Sequence, residues 1–420
     1  MTRPGLMPLD DALAELLAHA LPLAGIETVS TFDADGRVLA QDCVSALQVP
    51  PQDNSSMDGY AVRSADIAEA FEKGGVLLPV SQRIAAGAPP QPLVPGSAAR
   101  IFTGALVPPG ADAIVMQEEC ELVTGPACAH EPERETTVRI NRVPAPGQWI
   151  RRAGEDVTRG AIVLAQGQRL GPADIGLAAN IGMDRLRVAR RPRVALFSTG
   201  DELVMPGAVA PEQMKPGTIY NSNRYFLRAL LLRLGCELTD LGVVPDRRDA
   251  TIDALRGASQ DHDLILTSGG VSVGEEDHIK PAVETLGRLD FWQIAMKPGK
   301  PFAYGKVGNA HFIGLPGNPV SSFVTFVLLV RPFLLKLQGA TRLVAPGASM
   351  TAHFDWRGDK RREFLRVRRN ADGGLDLFPN QSSGVLTSAS WADGLVDNPA
   401  GRAIARGDAV RFIPLAELLQ

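Results

Sequence analysis

The chain has 420 residues, of which 45% are hydrophobic and 21% charged, a composition typical of a globular protein with a sizeable core and two to four domains. Lysine and arginine number 43 against 47 aspartates and glutamates, so the formal charge is -4 and there is no basic footprint for nucleic acid. The four cysteines are scattered without metal-ligand spacing, which argues against a structural zinc site and a disulfide framework.

The first predicted element is a helix for which Asp10 or Asp11 would be the cap. From there to about residue 188, short alternating apolar segments are bounded by turn residues, which predicts small β units. The segments expected to be strands are GRVLAQDCV, VRSADI, SAARIFTG, AIVMQEE and TTVRIN. The N-terminal stretch lacks the apolar core of a signal peptide, so we expect a cytoplasmic protein with reduced thiols.

From about residue 189, strands alternate with helices, which predicts right-handed βαβ crossovers and a mostly parallel sheet. One helix in this region is expected to begin at Asn221 or Ser222 and to end at Gly235. The apolar run PVSSFVTFVLLVRPFLLKL falls short of the ~20 residues of a membrane span and is expected to be a buried helix. From about residue 345 the short β segments return and predict a small barrel.

Charged loops follow four of the predicted strands, namely STGDEL, PDRRD, SGGVSVGEED and KPGKP. Because ligands bind beyond the carboxyl ends of strands in an open α/β sheet, we expect Glu202, Asp246, Asp277, Lys297 and Lys300 to face one another across one edge. A solvated loop or a helix cap is the commoner explanation of any single carboxylate. The combination of glycines, lysines and carboxylates is typical of phosphate bound by amides and lysines, with a divalent cation between phosphate and carboxylates.

The acidic residues of this edge would repel phosphate, because like charges ~4 Å apart repel by about 4 kcal/mol at an effective dielectric of about 20. A cation reverses that repulsion, and oxygen ligands favour Mg2+ over zinc. Of the three acids in GEED, Asp277 is the proposed ligand, whereas Glu275 and Glu276 are expected to face solvent. The fingerprints of P-loop NTPases and dinucleotide dehydrogenases are absent from the sequence.

Three further loops each allow two interpretations. GLPGNPVSS enters the buried helix and is either an anion site with Ser321 and Ser322 or an ordinary turn with a helix cap. PPQDNSSMDGYAVR is either a polar loop or a surface that recognises a polar heterocycle. RGDKRREFLRVRR is either a charged edge strand or a source of an arginine for an oxyanion.

Seven segments together resemble the bacterial MoeA family of molybdopterin molybdenumtransferases, which is similar to the E domain of eukaryotic gephyrin. They are DNSSMDGYAV, IFTGALVPPGADAIVMQEE, IRRAGEDV, VALFSTGDEL, TSGGVSVGEEDH, KPGKPFAYGK and GLPGNPVSS, and the resemblance runs in order from about residue 6. It implies a multidomain α/β plus β fold. The implied domains are a split elongated domain (1–45 and 150–188), an inserted β-rich domain (46–149), a MogA-like α/β domain with a mostly parallel sheet (189–344) and a C-terminal β-barrel (345–420).

The resemblance also implies an activity. Adenylylated molybdopterin and molybdate would be the substrates, and AMP would be released with Mg2+ as molybdenum is left on the dithiolene. The family resemblance implies a homodimer whose cleft lies between the α/β domain of one subunit and the early β domain of the other. Molybdopterin adenylyltransferase and proteins of molybdoenzyme maturation are the implied partners, and neither nucleic acid nor a membrane is expected.

The family motifs assign roles to individual residues of this chain. The implied catalytic residues are Asp277, Asp246, Glu202 and Lys297, and the implied metal ligands are Glu202, Asp246 and Asp277. The implied substrate-binding residues are Asp58, Thr103, Asp156, Asp201, Ser268, Gly269, Gly270, Lys300, Pro316, Pro319, Ser321, Arg366 and Ser383. Asp58, Thr103 and Asp156 would belong to the wall contributed by the partner. The chain departs from the family at Gln293, where a lysine is usual, and at Asn221, where an aspartate is usual.

Two alternatives to the insertase remain at this point. An adenylyltransferase is one, because the α/β domain is MogA-like, and ATP consumption separates the two reactions. A carrier or scaffold that binds molybdopterin without turnover is the other, because folds often persist after their chemistry is lost.

Overall fold

The structure of the chain is a computed structural model that describes residues 6–71, 76–124, 136–270 and 278–419. Two compact units account for the chain. The first unit comprises Met1–Gln41, Ala165–Ile175 and Asp184–Gln420, and the second unit comprises Asp42–Leu164 and Gly176–Met183. The four domain ranges expected from the sequence stay a prediction.

The elements up to residue 189 are mostly short strands, as expected. They are α1 Leu9–His19, β1 Ile26–Ser30, β2 Cys43–Val44, β3 Asn54–Ser55, β4 Gly59–Val62, α2 Ser64–Phe71, β5 Val76–Ile84, β6 Ala98–Ile101, β7 Ala113–Met116, β8 Cys120–Thr124, β9 Thr136–Ile140, β10 Ile150–Arg151, β11 Ile162–Leu164, α3 Pro172–Asn180 and β12 Arg185–Ala189. In the first unit, β1 pairs with β12 in antiparallel register.

Two sequence predictions in this region are wrong. VRSADI was expected to be a strand but enters α2, because Asp112 accepts hydrogen bonds from the backbone N–H of Ser64 at 2.6 Å and from its hydroxyl at 2.7 Å and so binds the N-terminus of a helix. The cap of α1 is Pro8, so that Asp10 and Asp11 lie in its first turn instead. There their charges still favour the positive end of the helix dipole.

The second unit is built on a sheet with the strand order β7-β4-β6-β5-β9-β8. Strand β4 is antiparallel to both β6 and β7, whereas β5 is parallel to β6. Apolar residues on both faces of the sheet are buried, among them Val62 and Val115 on one face and Ala61 and Ile114 on the other. This sheet fixes the positions of the loops that follow β3 and β6.

The elements from residue 193 onwards belong to the first unit. They are β13 Arg193–Thr199, β14 Leu203–Val204, β15 Ile219–Tyr220, α4 Ser222–Arg233, β16 Glu237–Val244, α5 Arg248–Asp261, β17 Leu264–Ser268, α6 Ile279–Leu286, β18 Gly287–Gln293, β19 Met296–Lys297, β20 Pro301–Val307, β21 Ala310–Leu315, α7 Pro319–Thr325, α8 Arg331–Leu337, β22 Ala348–Ala352, β23 Arg362–Arg369, β24 Gly374–Leu377, α9 Leu386–Trp391, β25 Gly394–Asn398, β26 Ala409–Pro414 and α10 Leu415–Leu418.

The central sheet of the first unit has the order β16-β13-β17-β21-β20-β18. The first four strands are parallel, and β20 is antiparallel to both β21 and β18. The predicted α/β arrangement with a mostly parallel sheet is therefore confirmed. Helix α4 begins after Asn221, whose side chain accepts from the N–H of Arg224 at 3.2 Å, and ends before Gly235, as predicted.

The expected buried helix is one continuous helix of 19 residues, Pro319–Leu337, formed by α7, a π-helical turn at Phe326–Val330 and α8. The π turn ends two residues before Pro332, which has no N–H for the helical ladder. The expectation that this segment is too short for a membrane span was wrong, because the helix is apolar and long enough to cross one, but 83% of its most apolar window is buried inside the fold. Burial of this extent is what the core helix of a globular protein shows.

The C-terminal strands close into a barrel in the order β23-β24-β22-β26-β25, since β25 also pairs with β23. This confirms the predicted barrel. Strand β19, which lies between β18 and β20 in the chain, is not part of the central sheet and pairs in parallel with β23. The barrel and the central sheet are therefore joined by backbone hydrogen bonds within the first unit.

Candidate functional site

The carboxyl ends of the four parallel strands lie at one edge of the central sheet. The register pairs Ser198 with Ser268, Ser268 with Leu315, and Thr199 with Val244. The loops that begin at residues 200, 245, 269 and 316 therefore leave the sheet side by side. This edge is where an open α/β sheet binds its ligand.

Two of these loops touch through glycines. Gly269 has φ +93°, and its N–H donates to the carbonyl of Leu315 at 3.1 Å. A Cβ at Gly269 would lie 3.2 Å from the carbonyl oxygen of Thr199, and a Cβ at Gly317 would lie 3.8 Å from the Cα of Gly269. Gly270 also has a positive φ of 66°. Only glycine takes these backbone conformations at little cost, and bare backbone of this kind is what phosphate-binding loops use.

The side chain of a buried asparagine binds the same two loops. The side-chain amide of Asn223, in the first turn of α4, donates to the hydroxyl of Ser268 and to the carbonyl of Gly317, both at 2.7 Å. The Ser268 hydroxyl donates in turn to the carbonyl of Pro316 at 3.4 Å. Sequence reasoning did not assign Asn223, although the polar segment NSN at the helix start was the available signal.

The carboxylates of the edge differ in exposure. Asp201 and Glu202 are exposed and Asp246 is half-buried, whereas Asp277 lies outside the described residues. The Glu202 carboxylate folds back over Gly200, where a Cβ would lie 2.5 Å from its Oε2. Within the described ranges, no three His, Cys, Asp or Glu side chains come together as a metal site. The predicted set of three ligands needs Asp277 and stays a prediction.

The two lysines of KPGKP have different surroundings. Lys297 donates to Asp359 at 3.0 Å and lies 3.4 Å from Glu363, both in the barrel, so its amine does not simply face the edge carboxylates as expected. Burial alone would raise the pKa of Asp359, but hydrogen bonds from the Arg361 N–H and from Lys297 outweigh it and lower the pKa to about 2. Lys300 is exposed, and its carbonyl accepts from the N–H of Ile294 at 2.8 Å.

The loop before α7 is bound to the barrel as well. Pro319 is the first helical residue, and the next N–H, of Val320, donates to the carbonyl of Ser383 at 2.9 Å. Pro316 and Ser321 are buried. Ser321 is followed by Ser322, whose buried hydroxyl has no hydrogen-bond partner in the part of the chain that is described. The Ser322 hydroxyl is therefore an unused donor next to this loop.

Arg366 serves the barrel in this structure. It is 1% exposed, and its guanidinium donates to the Ser388 hydroxyl at 3.1 Å and to the carbonyl of Phe364 at 3.0 Å. Burial lowers the pKa of Arg366 to about 10. These contacts join strand β23 to helix α9, and the predicted contact of Arg366 with an oxyanion stays a prediction.

In the second unit, the predicted residues Asp58 and Thr103 form a pair. The N–H and the hydroxyl of Thr103 donate to Asp58 Oδ1 at 2.8 and 2.7 Å. These hydrogen bonds lower the pKa of Asp58, and the charge of Arg100 adds to the effect. Asp156 is exposed, and its N–H donates to the carbonyl of Val49 at 3.0 Å. The pair is a fixed, ionised carboxylate at the surface.

Comparison with known families accounts for nearly the whole chain. The description "MoeA N-terminal region (domain I and II)" matches residues 7–182, "Probable molybdopterin binding domain" matches 195–336, and "MoeA C-terminal region (domain IV)" matches 349–415. The Asp58–Thr103 pair, the sheet edge and Arg366 fall into these three ranges in turn. The matched regions therefore include the sheet edge and Arg366 of the first unit and the Asp58–Thr103 pair of the second unit.

Individual relatives agree with the family match. A Haemophilus influenzae protein named molybdopterin molybdenumtransferase is 42% identical over 342 residues, which are 81% of this chain and 80% of that protein. A Mycobacterium tuberculosis protein named molybdopterin molybdenumtransferase 2 is 36% identical over 396 residues, covering 92% of this chain and 93% of its own. The solved molybdopterin biosynthesis MoeA protein of Pyrococcus horikoshii is 29% identical, with 98% and 100% coverage and a TM-score of 0.82.

Proposed function

Because the chain belongs to the MoeA family, we propose that it is a molybdopterin molybdenumtransferase of molybdenum cofactor biosynthesis. In the reaction that we propose, adenylylated molybdopterin and molybdate are the substrates and AMP is the leaving product. The observation that carries this proposal is the sheet edge, where the loops after β13, β16, β17 and β21 meet and glycine backbone replaces side chains at Gly269 and Gly270. Such an edge suits a ligand with phosphate groups.

The residues of this edge have different roles in the proposed reaction. The backbone of Gly269 and Gly270 approaches the phosphates, and the exposed amine of Lys300 offsets their charge. An oxygen of molybdate or of water attacks the phosphorus of the molybdopterin phosphate, AMP leaves with the bridging oxygen, and no covalent enzyme intermediate forms. As the two dithiolene sulfurs bind molybdenum, one molybdate oxygen leaves as water with the two thiol protons. Positioning and charge stabilisation are the main means by which enzymes accelerate such a transfer.

The donor atoms at the edge fit Mg2+. Glu202 and Asp246 offer carboxylate oxygens, and Asp277 would add a third. Mg2+ commonly binds through one or two carboxylates and completes its shell with water and substrate phosphates, so a closed protein cage is not required. Bound there, the ion would supply positive charge against the phosphate oxygens. We further propose a cytoplasmic homodimer that receives its substrate from molybdopterin adenylyltransferase and passes its product to molybdoenzyme maturation proteins.

The proposal is tested by incubating the purified chain with adenylylated molybdopterin, Mg2+ and molybdate, and by measuring AMP together with formation of the cofactor. We expect release of AMP that depends on molybdate and needs no ATP. An adenylyltransferase would instead consume ATP, and a carrier would bind molybdopterin without releasing AMP. Tungstate in a parallel reaction determines the choice of metal.

A further inference from the structure

Two arginines lie side by side on one face of the sheet in the second unit. Arg100 in β6 pairs in register with Tyr60 of β4 on one side and with Arg83 of β5 on the other. Phe102 follows Arg100 by two residues, and because side chains alternate along a strand, it leaves the sheet on the same face. The face therefore carries, in neighbouring positions, two aromatic rings and two cations.

The distances between these side chains are those of stacked groups. The guanidinium carbon of Arg83 lies 4.6 Å from the centre of the Phe102 ring, and that of Arg100 lies 4.7 Å from the same centre and 5.2 Å from that of Tyr60. All three distances are within the range of cation–π attraction. Each arginine is thus held on an aromatic surface, which reduces the entropy that it would lose on binding a ligand.

The two arginines differ in what else they bind. Arg100 donates to the carbonyl of Gly59 at 3.1 Å and to Gln117 at 2.7 Å. Arg83 is exposed, and within the described ranges its guanidinium has neither a hydrogen bond nor an ion pair with the protein. Like charges at directly paired positions of a sheet repel each other. An anion that binds between them would remove this repulsion and use the free donors of Arg83.

The stacked arginines adjoin a predicted substrate residue. Thr103 directly follows Phe102 and donates both its N–H and its hydroxyl to Asp58. The charge of Arg100 contributes to lowering the pKa of the Asp58 carboxylate, whereas Arg83 has no ion pair among the residues that the structure describes. Planar guanidinium groups match the spacing of phosphate oxygens.

We propose that Arg83, stacked on Phe102 beside Arg100, binds an oxyanion of the substrates next to the Asp58–Thr103 pair. This inference rests on the proposed function, which makes that pair part of the substrate site. The oxyanion is either a phosphate of adenylylated molybdopterin or molybdate, since both present tetrahedral oxygens with negative charge. Arg83 is a binding residue in this proposal and takes no part in bond breaking.

The test is titration calorimetry of the full-length chain with inorganic pyrophosphate, AMP and molybdate as probes. We expect the Arg83→Met variant to bind at least one probe about tenfold more weakly than the unaltered protein, as is typical of a lost charged hydrogen bond. Weaker binding of pyrophosphate and AMP identifies a phosphate subsite, whereas weaker binding of molybdate alone identifies a molybdate subsite. Arg83→Lys should recover part of the affinity, because lysine keeps the positive charge but lacks the planar guanidinium with its paired N–H donors.

Arg139→Met is the matched control, since Arg139 is an exposed arginine of the same sheet that is paired with Glu121 at 3.5 Å. Its affinities should equal those of the unaltered protein. Equal affinities of Arg83→Met for all three probes, or an unaltered protein that binds none of them, would overturn the inference. A protein that binds a probe through Arg83 but releases no AMP from adenylylated molybdopterin would overturn the proposed function instead and leave the oxyanion site standing.

Discussion

The side-chain amide of Asn223 donates to the hydroxyl of Ser268 at 2.7 Å and thereby joins the start of α4 to the end of β17. The same amide binds the carbonyl of Gly317. Both loops of the glycine contact therefore depend on one buried side chain. We expect Asn223→Ala to lower the free energy of unfolding by about 1–3 kcal/mol, because buried groups lose their partner.

Urea unfolding measures this loss, and Ser222→Ala, at the preceding position of the same helix, is the control. The control should change the free energy by less than about 0.5 kcal/mol, as is usual for a substitution away from the core. An Asn223→Ala protein as stable as the control would show that the two hydrogen bonds contribute nothing.

Gly269→Ala tests the close approach of the two edge loops. The new methyl would lie 3.2 Å from the carbonyl oxygen of Thr199 at a residue with φ +93°. Strain of this kind should lower the free energy of unfolding by about 1–3 kcal/mol. Because the loop is displaced, the enzyme should also release AMP more slowly. Thermal unfolding and the AMP assay measure the two effects.

Gly257→Ala is the matched control for this substitution, because Gly257 lies in α5, where an added Cβ would have open space around it. There alanine should stabilise the protein by about 0.5–1 kcal/mol, since it favours the helix. A stabilised and fully active Gly269→Ala protein would contradict the requirement for glycine at the edge.

Asp359 makes the stability of the protein depend on pH in the acid range. Its pKa falls to about 2 in the folded chain from an ordinary value of 3.8, so its contribution is complete above about pH 4 and is lost as the pH falls towards 2. Asp359→Asn should therefore unfold more easily than the unaltered protein at pH 6, with a smaller difference at pH 2.5. Guanidinium unfolding at the two pH values measures the difference in stability between the two proteins. A difference that grows on acidification would refute a lowered pKa for Asp359.

Asp277→Asn tests the predicted metal ligand. The substitution keeps the size of the side chain but removes its charge, so AMP release that depends on molybdate and Mg2+ should fall at least a hundredfold while the circular dichroism spectrum is unchanged. Glu276→Gln removes one negative charge at the neighbouring position and should keep near-normal activity. Normal turnover by Asp277→Asn would eliminate this residue as a ligand.

The elements that could be predicted from sequence are those whose signals are local. The α/β alternation, the cap at Asn221 and the buried helix Pro319–Leu337 each show a repeating apolar pattern or a capping residue within a short window. The prediction failed at α2, where the residue that binds the helix N-terminus, Asp112, is far away in sequence from Ser64. A contact of this kind leaves no local pattern.

The same distinction separates the candidate site residues. Strand ends are local signals, so the positions of Glu202, Asp246 and Gly269 at one edge could be predicted. The ion pair of Lys297 with Asp359 could not, since it spans 62 positions and depends on how a barrel strand pairs. The stack of Arg83 on Phe102 likewise exists only because β5 lies next to β6.

The pairing of β19 with β23 has a mechanical consequence. Lys297 in β19 is paired with Glu363 of the barrel, and the N–H of Val320, in the first turn of α7, donates to the carbonyl of Ser383. The barrel therefore supports two segments of the edge, strand β19 and the start of α7. Heating that unfolds the barrel would displace both segments while the central sheet remained folded. Turnover would then be lost at a lower temperature than the one at which the sheet unfolds.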